Sequence, residues 1–355
     1  MRRLLLQACL ISLIISPAFA GRLSVEELKT LLVSTLASGE PDEYTATRIS
    51  RVEMRERLTD STLAEFVKAG AGPRTAMVLR ALAAESEFEP APDTAGAPPP
   101  SAAEASAILG RARSFAASYI SSLPDFLCTR VTHRLASRPA WYGSSAYMLR
   151  SLSQQDTLNS EVSFRGGHEA YSKRLVNGQP EEDAAAGLTT WGEFGGDLVA
   201  LLGAGANPQV EFSRWESLSG RRVAVFRYSV DKRDSHYTVT WCCDGDHRHQ
   251  AVPGYHGELF VDPRSGEVAR LTRRAALLTF PTPRIDTLVE FRPVNLDATP
   301  YLLPVRSLTV TVSRIGSPFH TSRSLFQWSL NETEFRSYHK FTASSTFVAT
   351  GAPPQ

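Results

Sequence analysis

From Cys128 onward, apolar residues recur at every second position, and this pattern rules out most folds. In "RSLTVTVSR", Leu308, Val310 and Val312 take one side and Thr309, Thr311 and Ser313 the other. In "VAVFRYSV", Ala224, Phe226, Tyr228 and Val230 share a side, and in "LFQWSL" Phe326, Trp328 and Leu330 do. A strand sends successive side chains to opposite faces, so these runs read as half-buried antiparallel strands. Turn signals separate them at Asn177-Gly178, at Leu218-Ser219-Gly220 and at Asp262-Pro263-Arg264-Ser265-Gly266. Roughly nine or ten strands are expected, with one helix, Gly192 to Gly205, among them. Strands and helices do not alternate, which argues against a nucleotide-binding parallel sheet.

Upstream the period is helical. Ser24 followed by Glu27 has the spacing of a capping box, and Leu28, Leu31, Leu32 and Leu36 follow at helical intervals. Four short helices are expected between Gly21 and Phe88, a small all-α module. It reads equally as an interaction module or as a capping subdomain. Residues 89–103, "EPAPDTAGAPPPSAA", hold almost no large apolar side chain and read as a semi-stiff extended linker. A further helix carries Ile108, Ala112, Phe115 and Ile120 on one side and ends before Pro124. The expected architecture is α+β: a curved, half-barrel-like antiparallel sheet over residues 104–347, packed on helices and preceded by the all-α module, with a disordered tail at 348–355.

The opening "MRRLLLQACLISLIISPAFA" pairs Arg2 and Arg3 with an apolar run and ends on Ala18-Phe19-Ala20. This is the pattern of a secretory signal peptide cleaved after Ala20. No later run reaches the ~20 apolar residues a membrane helix needs. Cleavage removes two of the 38 basic residues and none of the 37 acidic ones, so the formal charge moves from +1 to −1. That balance offers no electrostatic basis for nucleic-acid binding. The expected location is periplasmic or secreted.

The strand "GRRVAVFRYSV", the hairpin "YHGELFVDPRSGEVARLTRRA", the strand "YLLPVRSLTVTV" and the terminal "EFRSYHKF" follow in an order that resembles a known group. The group is the periplasmic half-barrel proteins related to bacterial lipoprotein carriers (LolA/LolB and RseB-like), together with exported bacterial proteins sharing the "VDP-x-[ST]-G" hairpin. The resemblance covers about residues 105–346. It implies a curved sheet wrapped around helices with an apolar concave face that holds acyl chains. On this chain Phe226, Tyr228, Trp241, Phe260 and Trp328 would line that concavity, or else fill the core against the helices.

The stretch "TVTWCCDGDHRHQ" gathers the other chemistry-bearing residues. On a strand, Cys242 and Cys243 face opposite sides and cannot share one metal, and CC lacks the usual zinc spacing. Asp246, His247 and His249, with Asp244, are weak candidates for an adventitious metal site, and a solvated turn is the alternative. No C-x-x-C motif is present. An exported chain favours a disulfide, with Cys128 bridged to Cys243 or to Cys242. No G-x-S-x-G, H-E-x-x-H or Walker loop occurs. Ser229, Asp234 and His236 share a segment without triad geometry being implied. Asp286 and Glu290 read as a solvated strand face, His168 and Glu169 as surface, and Arg221-Arg222 and Arg273-Arg274 as guards against edge pairing.

The expectation is therefore an exported, non-enzymatic protein without a cofactor. Its partner would be an apolar or lipidated ligand, or an envelope protein. The alternatives are a metal-dependent or hydrolytic enzyme centred on Cys242 to His256, and a purely structural envelope protein.

Overall fold

The computed structural model describes residues 22–92, 97–137, 140–142, 145–147, 151–180, 189–203, 207–244, 247–277, 284–315 and 325–340. The expected signal peptide and C-terminal tail lie outside the described residues, as does Asp246.

Four helices open the chain: α1 (Val25–Ala37), α2 (Asp42–Ile49), α3 (Asp60–Lys68) and α4 (Pro73–Ser86). The capping box forms as expected: Glu27 N donates to Ser24 Oγ at 3.1 Å and Ser24 N donates to Glu27 Oε2 at 2.8 Å. Helix α4 has Pro73 in its first turn, and its free N–H groups are satisfied from α2. The Asp42 carboxylate accepts Arg74 N at 2.8 Å and Thr75 N at 3.1 Å. Leu28, Leu32, Ile49, Phe66, Val78 and Leu82 form the core of this module.

After α5 (Ala102–Ser122) come β1 (Phe126–Ser137), β2 (Ala140–Tyr142), β3 (Ser145–Tyr147), β4 (Leu152–Arg165), β5 (His168–Val176) and β6 (Gln179–Pro180). Helix α6 (Gly196–Leu202) precedes β7 (Gln209–Leu218), β8 (Arg221–Val230), β9 (Val239–Asp244), β10 (His247–Ala251) and β11 (Tyr255–Val261). The last four strands are β12 (Val268–Ala276), β13 (Arg284–Leu296), β14 (Thr299–Ile315) and β15 (Leu325–Lys340).

Eleven strands make one antiparallel sheet in the order β6-β5-β4-β1-β15-β14-β13-β12-β11-β8-β7. The sheet is open, since β6 and β7 end it without pairing to each other. Bulges between Leu127 and Thr129, Arg134 and Leu135, Phe212 and Arg214, and Glu290 and Phe291 bend its strands. The fold is the expected α+β arrangement of a curved antiparallel sheet with helices. Hairpins β2–β3 and β9–β10 stand apart from the main sheet.

Helices cover both faces. On one, Ile108, Ala112, Ala116 and Tyr119 of α5 and Leu198, Leu201 and Leu202 of α6 pack on Ala224, Phe226, Tyr228, Leu259, Leu271 and Val289. Tyr119 OH donates to the Leu302 carbonyl at 2.7 Å. The "VDPRSG" turn is built for this contact. Gly266 has φ +81, and a Cβ there would sit 2.5 Å from the Arg111 carbonyl carbon of α5. Arg111 also donates to the Pro263 carbonyl at 2.7 Å.

The opposite face carries the all-α module. Ala81, Ala84 and Phe88 settle on Leu135, Leu152, Leu288, Leu308, Val310 and Leu330. The two alanines let the α4 backbone come close to the sheet. The segment after α4 is tied down at several points: Glu89 pairs with Arg22 and Arg274, the Pro90 carbonyl accepts Arg57 N at 2.7 Å, and Trp215 Nε1 donates to the Pro98 carbonyl at 3.0 Å.

Candidate functional site

The face beneath the module is charged where an apolar or solvated surface was expected. Register places Phe260 opposite Arg270, Arg270 opposite Glu290, and Glu290 opposite Arg306, a row crossing four strands. The module lowers Glu87, at the C-terminus of α4, onto this row. Its carboxylate accepts from Arg270 at 2.9 Å and from Arg306 at 3.1 Å, and Arg57 lies 3.6 Å away. Arg270 also pairs with Glu290, and its side chain is 4% exposed. Alongside, Arg57 reaches Glu216 at 3.1 Å, Arg214 grips Glu216 and Glu258, and Arg274 reaches Glu89 at 2.6 Å.

Buried charges survive only when paired and hydrogen-bonded, and most of these are. Burial raises the Glu290 carboxyl, but Arg270, Arg306 and Arg292 outweigh it and hold it below the usual carboxylate range. Burial lowers Arg214, yet Glu258 and Glu216 outweigh it and raise the guanidinium. Asp286 and Glu290, read from the sequence as a solvated face, are in fact buried here. Asp286 pairs with Arg284 and lies 3.9 Å from Arg274. The alternation of β13 was legible, but the cover over it was not.

Beside this network the module stands off from the sheet and leaves a cleft of about 490 Å³. One wall is a helical stripe of α4, Ala76, Leu79, Arg80, Ala83 and Ala84, joined by Leu63, Ala64 and Val67 of α3. These positions follow the i, i+3, i+4, i+7 spacing of one helix face. The alanines leave the space that longer side chains would fill, and Val67 is exposed. The other wall is polar: His133 of β1, Arg306 of β14, and Glu332 and Glu334 of β15. Arg80 bridges the walls to Glu332 at 2.5 Å. The helical wall is thus mostly apolar, interrupted by Asp60 and Arg80, and the strand wall is polar and charged.

The five aromatics named from the sequence do not line one hollow. Phe226 and Tyr228 are each 2% exposed, packed under α5 and α6, and Tyr228 OH donates to the Thr272 carbonyl at 2.6 Å. Phe260 is buried on the opposite face, beneath the guanidinium of Arg270 at 5.6 Å and that of Arg214 at 5.8 Å. Trp328 packs at the edge of the α4 contact. The side chains of Trp241, Cys242, Cys243, His247 and His249 lie outside the described residues. Their backbone forms the β9–β10 hairpin, with His249 opposite Trp241 and His247 opposite Asp244.

Cys128 is a free, buried thiol, so the bridge to Cys243 or Cys242 is not formed. Register gives the reason. The β9 hairpin clusters through Val239 with Leu277 and Ile285. Ile285 is linked through Thr311 and Ser329 to Ala136, three strands across and far along β1 from Cys128. At ~3.3 Å per residue and ~4.8 Å per strand, that separation is on the order of 30 Å, far beyond disulfide reach. Burial pushes the Cys128 thiol up to about 12, against an interaction with the Tyr338 side chain that lowers it.

Two further surface readings are corrected. Glu169 is part-buried and accepts from Tyr171 OH at 2.7 Å and from Phe194 N at 3.1 Å, and burial raises its carboxyl above the ordinary value. Nearby, Arg130 and Glu193 form a buried pair at 2.9 Å. Arg273, expected at an edge, lies within β12, pairs with Asp197 at 2.7 Å and stacks 3.8 Å over the ring of Tyr237.

The fold and cleft define a half-barrel-like α+β protein with a charged module interface. No family model and no curated protein matches the chain. Solved structures give weak likenesses. A DUF1329 family protein from Desulfovibrio piger aligns at a TM-score of 0.32 and 7% identity, over 68% of this chain and 95% of its own. A structure described as an outer membrane lipoprotein-sorting protein domain, from Vibrio parahaemolyticus, gives 0.31 at 8% identity, over 65% of this chain and 90% of its own. LprF from Mycobacterium bovis gives 0.19 at 11% identity, over 71% of this chain and 99% of its own. At scores this low no residue correspondence follows.

Proposed function

We propose that the chain is an exported, non-enzymatic protein that binds an apolar or lipidated ligand, and that the cleft between the all-α module and the sheet is its seat. The observation that carries this reading is the 490 Å³ space with one mostly apolar helical wall and one charged strand wall. Ligand pockets run from about 300 to 1,000 Å³ and combine an apolar lining with a few placed polar groups. An amphiphile fits such a seat: its tail lies against Leu63, Ala64, Val67 and Ala76, and its head meets the side chains of β1, β14 and β15. The face under α5 and α6 supports the role less well, because Phe226 and Tyr228 already bury their rings in protein. Export rests on the first 20 residues, and among the described residues no helix is long and apolar enough to cross a membrane.

The test is lipid extraction and mass spectrometry of the purified protein, with a titration of the neutral fluorophore 1-N-phenylnaphthylamine. A co-purified amphiphile, or saturable fluorescence lost in Ala76→Trp, is the expected result. No extracted lipid and no saturable signal would end the proposal.

A further inference from the structure

The charges around the cleft discriminate between amphiphiles, an inference that rests on the cleft being the ligand seat. Four carboxylates, Asp60, Glu87, Glu332 and Glu334, and two guanidiniums, Arg80 and Arg306, line it. The inner members cancel within the interface. Glu87 is held by Arg270, Arg306 and Arg57, and Arg306 also lies 3.7 Å from Glu290. What faces the cleft beyond these is Asp60, Glu332 and Glu334 against Arg80 and the half-buried His133.

Arg80 is occupied by Glu332, and both side chains keep partial exposure, 47% and 27%. Among the described residues Glu334 pairs with Arg336 alone, which does not line the cleft, and both are about half exposed. Asp60 is exposed in the first turn of α3 and makes no ion pair among the described residues. The local field is therefore negative, and it lies beside the apolar stripe of α3 and α4.

We infer that the ligand is a cationic amphiphile: an apolar chain bearing a primary amine or guanidinium head. The chain lies along Leu63, Ala64, Val67 and Ala76, and the head sits among Asp60, Glu332 and Glu334. A carboxylate or phosphate head would meet like charge there, and Arg80 is committed to a carboxylate already. Rim charges of this kind set which partner is excluded as much as which is held.

The experiment compares three amphiphiles of equal chain length, dodecylamine, dodecanol and dodecanoate, as displacers of bound 1-N-phenylnaphthylamine from the full chain. Dodecylamine should displace at a concentration about tenfold below dodecanoate at ~0.05 M salt, and the gap should narrow at ~0.5 M. In Asp60→Asn/Glu334→Gln the gap should close, mainly through weaker amine displacement. Dodecanoate displacing as well as or better than dodecylamine overturns the inference, as does an amine preference that the double substitution leaves intact. Equal displacement by all three overturns the charge assignment while the cleft remains the seat. Displacement by none, with no probe bound, overturns the cleft reading itself.

Discussion

Glu87→Gln should undo much of the contact between the all-α module and the sheet. The change keeps the shape of the side chain and removes its charge from among three guanidiniums, at 2.9, 3.1 and 3.6 Å. Losing one partner of a buried ion pair costs about 3–5 kcal/mol, chiefly because the remaining charge is stranded. The lower end applies here, since Arg270 keeps Glu290 and the Arg306 side chain is a third exposed. The helix dipole works the other way. Removing an anion from the C-terminal end of α4 should gain about 0.3–1 kcal/mol. The net expectation is a loss of about 2–3 kcal/mol, or a melting temperature lower by about 3–4 °C. Urea unfolding measures the first and calorimetry the second. Hydrogen exchange should also show faster exchange in β13 and β14, which the module covers. Adding Arg306→Met should restore part of the loss, because the stranded cation is then gone. A loss under about 0.5 kcal/mol, with β13 exchange unchanged, would mean that the carboxylate does not hold the module to the sheet.

Gly266→Ala should cost at least about 2 kcal/mol by urea unfolding, because a left-handed backbone and a clash with Arg111 coincide there. Gly220→Ala, with φ +74 and open space around it, should cost only about 1–2 kcal/mol. Cys128 should resist alkylation at pH 8 in the folded chain and react after denaturation, read by peptide mass mapping. Its raised folded value also means that stability falls as pH rises from 9 toward 12, because the unfolded thiol ionises first. Glu169 behaves alike at lower pH. The unfolded carboxyl releases its proton first as pH rises past 4.5, so burial costs stability above that point. Glu169→Gln should therefore gain stability relative to the parent at pH 7 and lose that advantage at pH 4, measured as urea midpoints.

Much of the fold could be read from local pattern. The Ser24–Glu27 box, the Asn177-Gly178 turn and the alternation of β8 and β14 are each decided by neighbours in sequence. What could not be read was which strand face lies under another element. Asp286 and Glu290 look solvated until the module closes over them. Arg273 and Arg274 look like edge guards until β11 and β13 flank their strand. The cleft was hidden for the same reason, since it belongs to two parts of the chain far apart in sequence. One signal for it was present. Within α4, "AMVLRALAA" is apolar except for Arg80, with buried residues on more than one side, as befits a helix packed on two sides. Val78 and Leu82 face the module core, Ala81 and Ala84 face the sheet, and Ala76 and Ala83 flank the gap.

A photoactivatable alkyl probe, cross-linked to the full chain and mapped by peptide mass spectrometry, most directly asks where an apolar ligand sits. Adducts should fall on Ala64, Val67, Ala76 and Arg80, and Ala76→Trp should abolish them. Adducts on Ile108 to Tyr119, or around Phe226 and Tyr228, would place the ligand under α5 instead and contradict the cleft.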